Sequence, residues 1–219
     1  MNKLLVFQTD FGLDDGAIGA MEGVAFCVDI DLNIRHLTHN IPPYNIFDAS
    51  YRLNQAISYW PEGTVFVSVV DPGVGSDRRS VVARTKTNQY IVTPDNGTLT
   101  HIDKFVGITE VREIEERTNR LKNSEHSYTF HGRDVYAYTG ARLASETISF
   151  EEVGPVVDLD EIVRLELYGC HKLKMVSWDR LTFSMSDSGP YGHQFHMRNS
   201  STAVSVSVMM SGLKFSIMT

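Results

Sequence analysis

Asp71 and Arg78 place a carboxylate and a guanidinium seven residues apart, at the two ends of a loop within VVDPGVGSDRR (69–79). Pro72, Gly73 and Gly75 make that loop tight and let its backbone approach a ligand closely. The pair suits the handling of a small polar molecule; a plain salt bridge pinning the loop is the other reading. Further along, TFHGRD sets His131 beside Gly132 at the expected start of a helix. That is a position for a general base or proton relay, or for a cap. More polar residues stand where apolar runs stop: Asp10 after the first run, His39 and Asn40 after the second, Asp71 after the third. A single carboxylate at a strand end is often only a helix cap. Together these residues outline one crevice, because open parallel sheets bind ligands outside the carboxyl ends of their strands. Two superficial matches fail. A dinucleotide fingerprint begun at Gly73 meets Arg78 at its third glycine position. Asp10-Phe11-Gly12 has no phosphate loop or catalytic loop before it, as a kinase would require.

The elements that must position these residues follow from pattern. Lys3 to Thr9, Leu32 to Thr38 and Thr64 to Val70 read as buried strands, the last nearly all β-branched. Between them, Asp14 to Val28 has helical spacing with two acids in its first turn, and Asn45 to Trp60 reads as a helix bounded by prolines. Strands alternating with helices imply parallel pairing through crossover helices. After Asp71, segments 79–84 and 89–93 form a strand pair around Thr87-Asn88, a short helix runs to about Phe105, and 111–114 is one more strand. Residues 115–128 read as a polar surface loop, and Arg133 to Ser145 as a helix. The expected fold is α/β: a three-layer α/β/α domain over residues 1–165 with a mostly parallel central sheet, followed by a separate segment, 166–219.

Bulk properties narrow the function classes. A net charge of −7 argues against a nucleic-acid surface, and an acidic cleft would attract a cationic substrate. The two cysteines, Cys27 and Cys170, have no metal-ligand spacing and fit a reducing compartment. No apolar run approaches the length of a membrane span, and the first is too short for a signal peptide. A cytoplasmic location with no membrane partner is expected.

Taken together the motifs identify a resemblance. TDFGLDD (9–15), HLTHNIPPYNIFDAS (36–50), WPEGTVFVSVVDPGVGSDRRS (60–80), IVTPDNGTLT (91–100), TFHGRDVYAYTGARLA (129–144) and EEVGP (151–155) resemble, in order, the S-adenosylmethionine hydrolases. These are also called SAM hydroxide adenosyltransferases and are related to fluorinase and chlorinase. The resemblance implies hydrolysis of S-adenosylmethionine to adenosine and methionine by water attacking the ribose 5′ carbon. It implies no cofactor and no metal, S-adenosylmethionine being the substrate. It assigns the water-handling group to Asp71, Arg78 and His131, residues that differ in the halide-using relatives. Asp10 would grip the ribose hydroxyls, Asp15 would lie near the methionine end, and Tyr44 near the ribose. Asn96, Thr129 and Phe130 are further pocket candidates. The family's small C-terminal β-barrel and homotrimeric assembly are implied only as far as the C-terminal part is competent. A non-catalytic adenosine or S-adenosylmethionine binding module is the alternative.

The tail departs from this pattern after about Leu167. Residues 168–219 hold six of the eight methionines, ten serines and no glutamate, and the sequence there lacks the alternation of a barrel strand. A shifted reading of codons 185–201, with permitted synonymous choices, can give VRFGSLW and then PISYEEFF after one alanine or threonine. That resembles the family's barrel motif, so the tail is expected to be an out-of-frame remnant, and an open adenine end is expected to impair activity.

Overall fold

The computed structural model describes residues 3–124 and 130–167 in full, and the backbone of 182–187, 193–199 and 202–207. The chain divides into two compact units, Met1–Glu166 and Leu167–Thr219.

In the first unit, β1 (Leu4–Thr9), β2 (Asn33–Thr38), β3 (Val65–Val69), β4 (Ser80–Thr85), β5 (Tyr90–Pro94), β6 (Ile108–Glu113) and β7 (Val156–Val157) form one sheet in the order β2-β1-β3-β5-β4-β6-β7. The β1–β2, β1–β3 and β3–β5 pairs are parallel; β5–β4, β4–β6 and β6–β7 are antiparallel. The sheet is therefore mixed: β2, β1, β3, β5 and β6 run one way, and β4 and β7 run the other. The antiparallel pairs have local causes. The tight turn after β4 returns β5 between β3 and β4, segment 95–107 then crosses over β4 so that β6 runs parallel to β5 on its far side, and β7 closes the edge antiparallel to β6.

Helices α1 (Ala17–Val28), α2 (Ile46–Ile57) and α3 (Thr100–Phe105) are joined by the short α4 (Glu116–Asn119), a π-helical turn (Gly132–Ala137) and α5 (Tyr138–Ala144). Strand alternation sends Leu5, Phe7, Val65 and Val67 into a core with Met21, Ala25, Val135 and Ala141. Val6, Phe66, Val81 and Ile91 face a second core with Leu53, Ile57, Leu99 and Ile102. Helices thus cover both faces. At Gly140 a Cβ would overlap the Val67 side chain, so glycine is what lets α5 lie close on β1 and β3.

Two boundaries move. Helix α1 starts at Ala17, not Asp14, because the Asp15 carboxylate accepts the Ala17 N–H (2.8 Å) and ends the preceding loop; no acid lies in the first turn. Of the segment 115–128 read as a polar surface loop, 125–128 lie outside the described residues, and 115–124 contains the short helix α4. Asn119 there is buried, its side chain donating to the carbonyls of Glu152 and Val153 at 3.2 and 2.9 Å. In the second unit, β8 (Thr182–Asp187), β9 (His193–Asn199) and β10 (Thr202–Ser207) form an antiparallel sheet in the order β10-β9-β8, where sequence pattern signalled no strands. Among the described residues no helix is long and apolar enough to cross a membrane.

Candidate active site

Parallel register brings the polar residues together. Thr9 lies opposite Val69 and Gln8 opposite Thr38, so Asp10, His39 and Asp71 leave the sheet at one edge. Beyond that edge is a cleft of about 340 Å³ lined by Asp10, Phe11, Pro43, Tyr44, Val69, Asp71, Val74, Phe130, His131 and Gly132. It is of the size and mixed polarity that small-molecule sites show.

At its floor the loop 71–78 folds back on itself. Ser76 N–H and Oγ both donate to the Gly73 carbonyl, at 3.0 and 2.7 Å, and Gly75 takes a φ of 79°. This closes the ends, so that Arg78 Nε donates to Asp71 Oδ1 (2.7 Å) and Arg78 Nη2 to Asp71 Oδ2. Both side chains are nearly enclosed, 10% exposed for Arg78 and 6% for Asp71. Burial works against the Arg78 charge, but the Asp71 hydrogen bond and charge outweigh it and lift its pKa above the usual arginine value. Nη2 also lies 3.1 Å from His131 Nδ1. Arginine has no acceptor, so Nδ1 must accept, and the imidazole is neutral with its proton on Nε2. The His131 pKa is lowered in keeping with this: burial is the main cause, with Arg78 and Arg120 acting the same way against Glu116 and Asp71. Carboxylate, guanidinium and neutral imidazole therefore form one hydrogen-bonded cluster in which Arg78 donates to both Asp71 and His131, the two residues that line the cleft.

Asp10 sits across the cleft. Its Oδ2 accepts the backbone N–H of Tyr44 (2.8 Å), a residue held at φ 65° and 69% exposed. A carboxylate has about four acceptor positions, so Asp10 retains capacity for a vicinal diol. Phe130 packs edge-on to Phe11 beside it (5.9 Å). The other proposed residues lie apart. Asp15 is exposed and engaged with Ala17. Asn96 supports from below, its Nδ2 donating to the Val70 carbonyl (2.9 Å) just before Asp71. Thr129 is outside the described residues. Among the described residues no group of three His, Cys, Asp or Glu is arranged to hold a metal.

His39 is not in the cleft wall. It braces the Asp10 turn from behind: Nδ1 lies 2.9 Å from Thr9 Oγ1, which accepts the Phe11 N–H, and the His39 carbonyl accepts the Gly12 N–H. Its Nε2 meets His36 Nδ1 (2.8 Å), and His36 Nε2 meets Glu22 (2.9 Å). Burial, with His36 adding to it, lowers the His39 pKa to about 4. Between the ordinary value of about 6.5 and 4, the unfolded chain takes up a proton that the folded chain refuses. Stability contributed by neutral His39 is full above pH 6.5 and falls as pH drops towards 4, by on the order of 2–3 kcal/mol. Urea unfolding at pH 7.5 and 4.5 measures it, and His39→Gln should flatten the difference.

Sequence reasoning passed over Pro43, Val69 and Val74 in the cleft, apolar residues whose only signal was their place next to Tyr44, at the end of β3 and in the loop after Asp71.

A mixed α/β domain with its cleft at the carboxyl ends of parallel strands, and a carboxylate–guanidinium–imidazole cluster whose carboxylate and imidazole line that cleft, defines a class of small-molecule site. The comparisons specify which. The model of the SAM hydroxide adenosyltransferase N-terminal domain matches residues 5–154. The chain is 37% identical over 194 residues to an (R)-S-adenosyl-L-methionine hydrolase of Methanocaldococcus jannaschii, covering 84% of this chain and 71% of that one. It is 38% identical over 160 residues to the hydrolase so named from Salinispora tropica, spanning 59% of that protein's length. A fluorinase of an Actinoplanes species is 26% identical over 185 residues. A crystal structure of a conserved protein from Thermotoga maritima superposes with a TM-score of 0.72 at 33% identity, over 89% of this chain and 70% of that chain. The chain belongs to the SAM hydroxide adenosyltransferase family.

Proposed function

We propose that this protein hydrolyses S-adenosyl-L-methionine to adenosine and methionine, with Asp71, Arg78 and His131 handling the water. The observation that carries the reading is the joined cluster: one guanidinium bonded to both Asp71 and His131, which line the cleft. The closer identity to named hydrolases than to named fluorinases supports water over halide as nucleophile.

The substrate's sulfonium is a good leaving group, so the site must chiefly align water and take its proton. Water oxygen bonds to C5′ as the C5′–S bond breaks, and that bond's electron pair goes to sulfur, giving neutral methionine thioether. The water's proton passes to the Asp71 carboxylate, which keeps lone pairs that Arg78 does not occupy. Asp10 accepts the two ribose hydroxyls, and Phe11, Phe130 and Tyr44 supply apolar surface. We further propose that the C-terminal part, as a remnant of a barrel domain, leaves turnover below that of full-length relatives.

Incubating the full chain with S-adenosylmethionine and resolving adenosine and methionine by chromatography tests the reaction. Ligand binding with no product would make the protein a binding module instead. Asp10→Asn should raise KM by roughly tenfold or more with a smaller change in kcat, since a charged acceptor for the diol is worth about 1.5–3 kcal/mol.

A further inference from the structure

Arg78 has five N–H donors in a fixed plane, and four are assigned: Nε and one Nη2 hydrogen to Asp71, the other Nη2 hydrogen to His131, and one Nη1 hydrogen to Ser80 Oγ (3.0 Å). Ser80 Oγ in turn lies 3.1 Å from Tyr136 Oη. The Tyr136 ring carries the guanidinium carbon 5.6 Å from its centre, within cation–π range. Ser80 is a buried hydroxyl opening a strand that continues Val81, Val82 and Ala83, and Tyr136 is fully buried, so each hydroxyl must find a partner inside the protein.

The π-helical turn explains why His131 and Tyr136 reach the same cation. They are five residues apart, on different sides of an ordinary α-helix, but i→i+5 hydrogen bonding puts such residues nearly one above the other. The Leu121 N–H donates to the Asp134 carbonyl (2.8 Å) and so anchors the turn from outside.

We propose that Ser80 and Tyr136 are positioning residues for the hydrolysis, fixing the plane of the Arg78 guanidinium so that its Nη2 edge meets Asp71 and His131 together. Without the Nη1 anchor, Arg78 can rotate about its Asp71 pair and leave His131. The inference rests on the reading of Asp71, Arg78 and His131 as the water-handling group. Tyr136 acts as a neutral phenol throughout, because burial above all raises its pKa far beyond the ordinary tyrosine value.

The test uses Ser80→Ala, Tyr136→Phe and the conservative Ser80→Thr in the full chain. The first readout is kcat and KM with S-adenosylmethionine. The second is the His131 pKa, from NMR of ring-labelled histidine in the absence of substrate. Asp71, Arg78, Arg120 and Glu116 are the charged groups that act on His131. Losing Arg78 from this set removes a cation and frees Nδ1, so the His131 pKa should rise. Ser80→Ala should lower kcat roughly tenfold with KM changed by no more than about twofold, and Ser80→Thr should restore it. Tyr136→Phe keeps the ring and should lose less. An unmoved His131 pKa in both Ser80→Ala and Tyr136→Phe would overturn the proposal. So would activity lost only in proportion to the folded fraction. If the unaltered chain turns over no substrate, the functional reading falls, and the His131 titration still decides the positioning.

Discussion

Replacing Arg78 by lysine is expected to lower kcat by a factor of roughly 100 to 10,000, with the protein still folded. Lysine keeps the positive charge beside Asp71, so no buried carboxylate is stranded without a partner. It cannot keep the geometry. The guanidinium spans Asp71 with two parallel bonds and reaches His131 and Ser80 from the same plane. A lysine ammonium on a flexible stem serves one or two of these at a time. Two charge-assisted bonds lost, at about 1.5–3 kcal/mol each, convert to that range of rates if they act in the transition state. Steady-state kinetics with S-adenosylmethionine, alongside urea unfolding, separates chemistry from stability. A variant with normal kcat would remove Arg78 from the mechanism. Asp71→Asn makes a complementary case, because an amide cannot take the water's proton. Yet it also strands the Arg78 charge, so the lysine variant is the cleaner measurement.

The half of this site that sequence revealed is the half built from neighbours. Asp71 and Arg78 were legible because proline and two glycines between them force a return of the chain, which is local chemistry. Asp10 was legible because a strand-end rule applies to parallel strands, and β1 and β3 are parallel. The bond from Arg78 to His131 spans 53 residues, and only the resemblance to a family connected them. His39 shows the limit of the strand-end rule: it leaves the sheet at the correct edge but turns inward to Thr9, where burial and not ligand contact sets its character. The π-helical turn had no signal, since the same residues satisfy α and π hydrogen bonding and the choice is made by what packs around them. The antiparallel pairs of the sheet were visible as the strand pair around Thr87-Asn88 and, in part, as the strand read at 111–114 that is the end of β6. β7 has two residues, too few for any period to register.

Gly154→Ala is expected to destabilise the first unit by on the order of 4 kcal/mol, combining backbone strain and overpacking of about 1–3 kcal/mol each. Gly154 holds φ 151° and ψ −161°, a region that residues with a Cβ scarcely enter. A Cβ there would also overlap the Glu113 carbonyl oxygen, a backbone atom that cannot rotate away. Relief requires moving 153–155 off the end of β6, which sacrifices Glu113 N–H to Pro155 (2.9 Å), Glu115 N–H to Val153 (2.9 Å) and Arg112 to the Gly154 carbonyl (2.9 Å). Domains commonly have only about 5–15 kcal/mol in total, so much of the margin would go. Urea unfolding monitored by circular dichroism checks the size, and a change below about 1 kcal/mol would contradict the strain argument. The damage should extend to the site. Glu115 leads directly into α4, Asn119 at its end bonds the Val153 carbonyl, and Leu121 just beyond anchors the π-helical turn through Asp134. That turn is what brings His131 and Tyr136 to Arg78. The folded fraction of Gly154→Ala should therefore show a raised His131 pKa, although Gly154 is not among the residues lining the cleft.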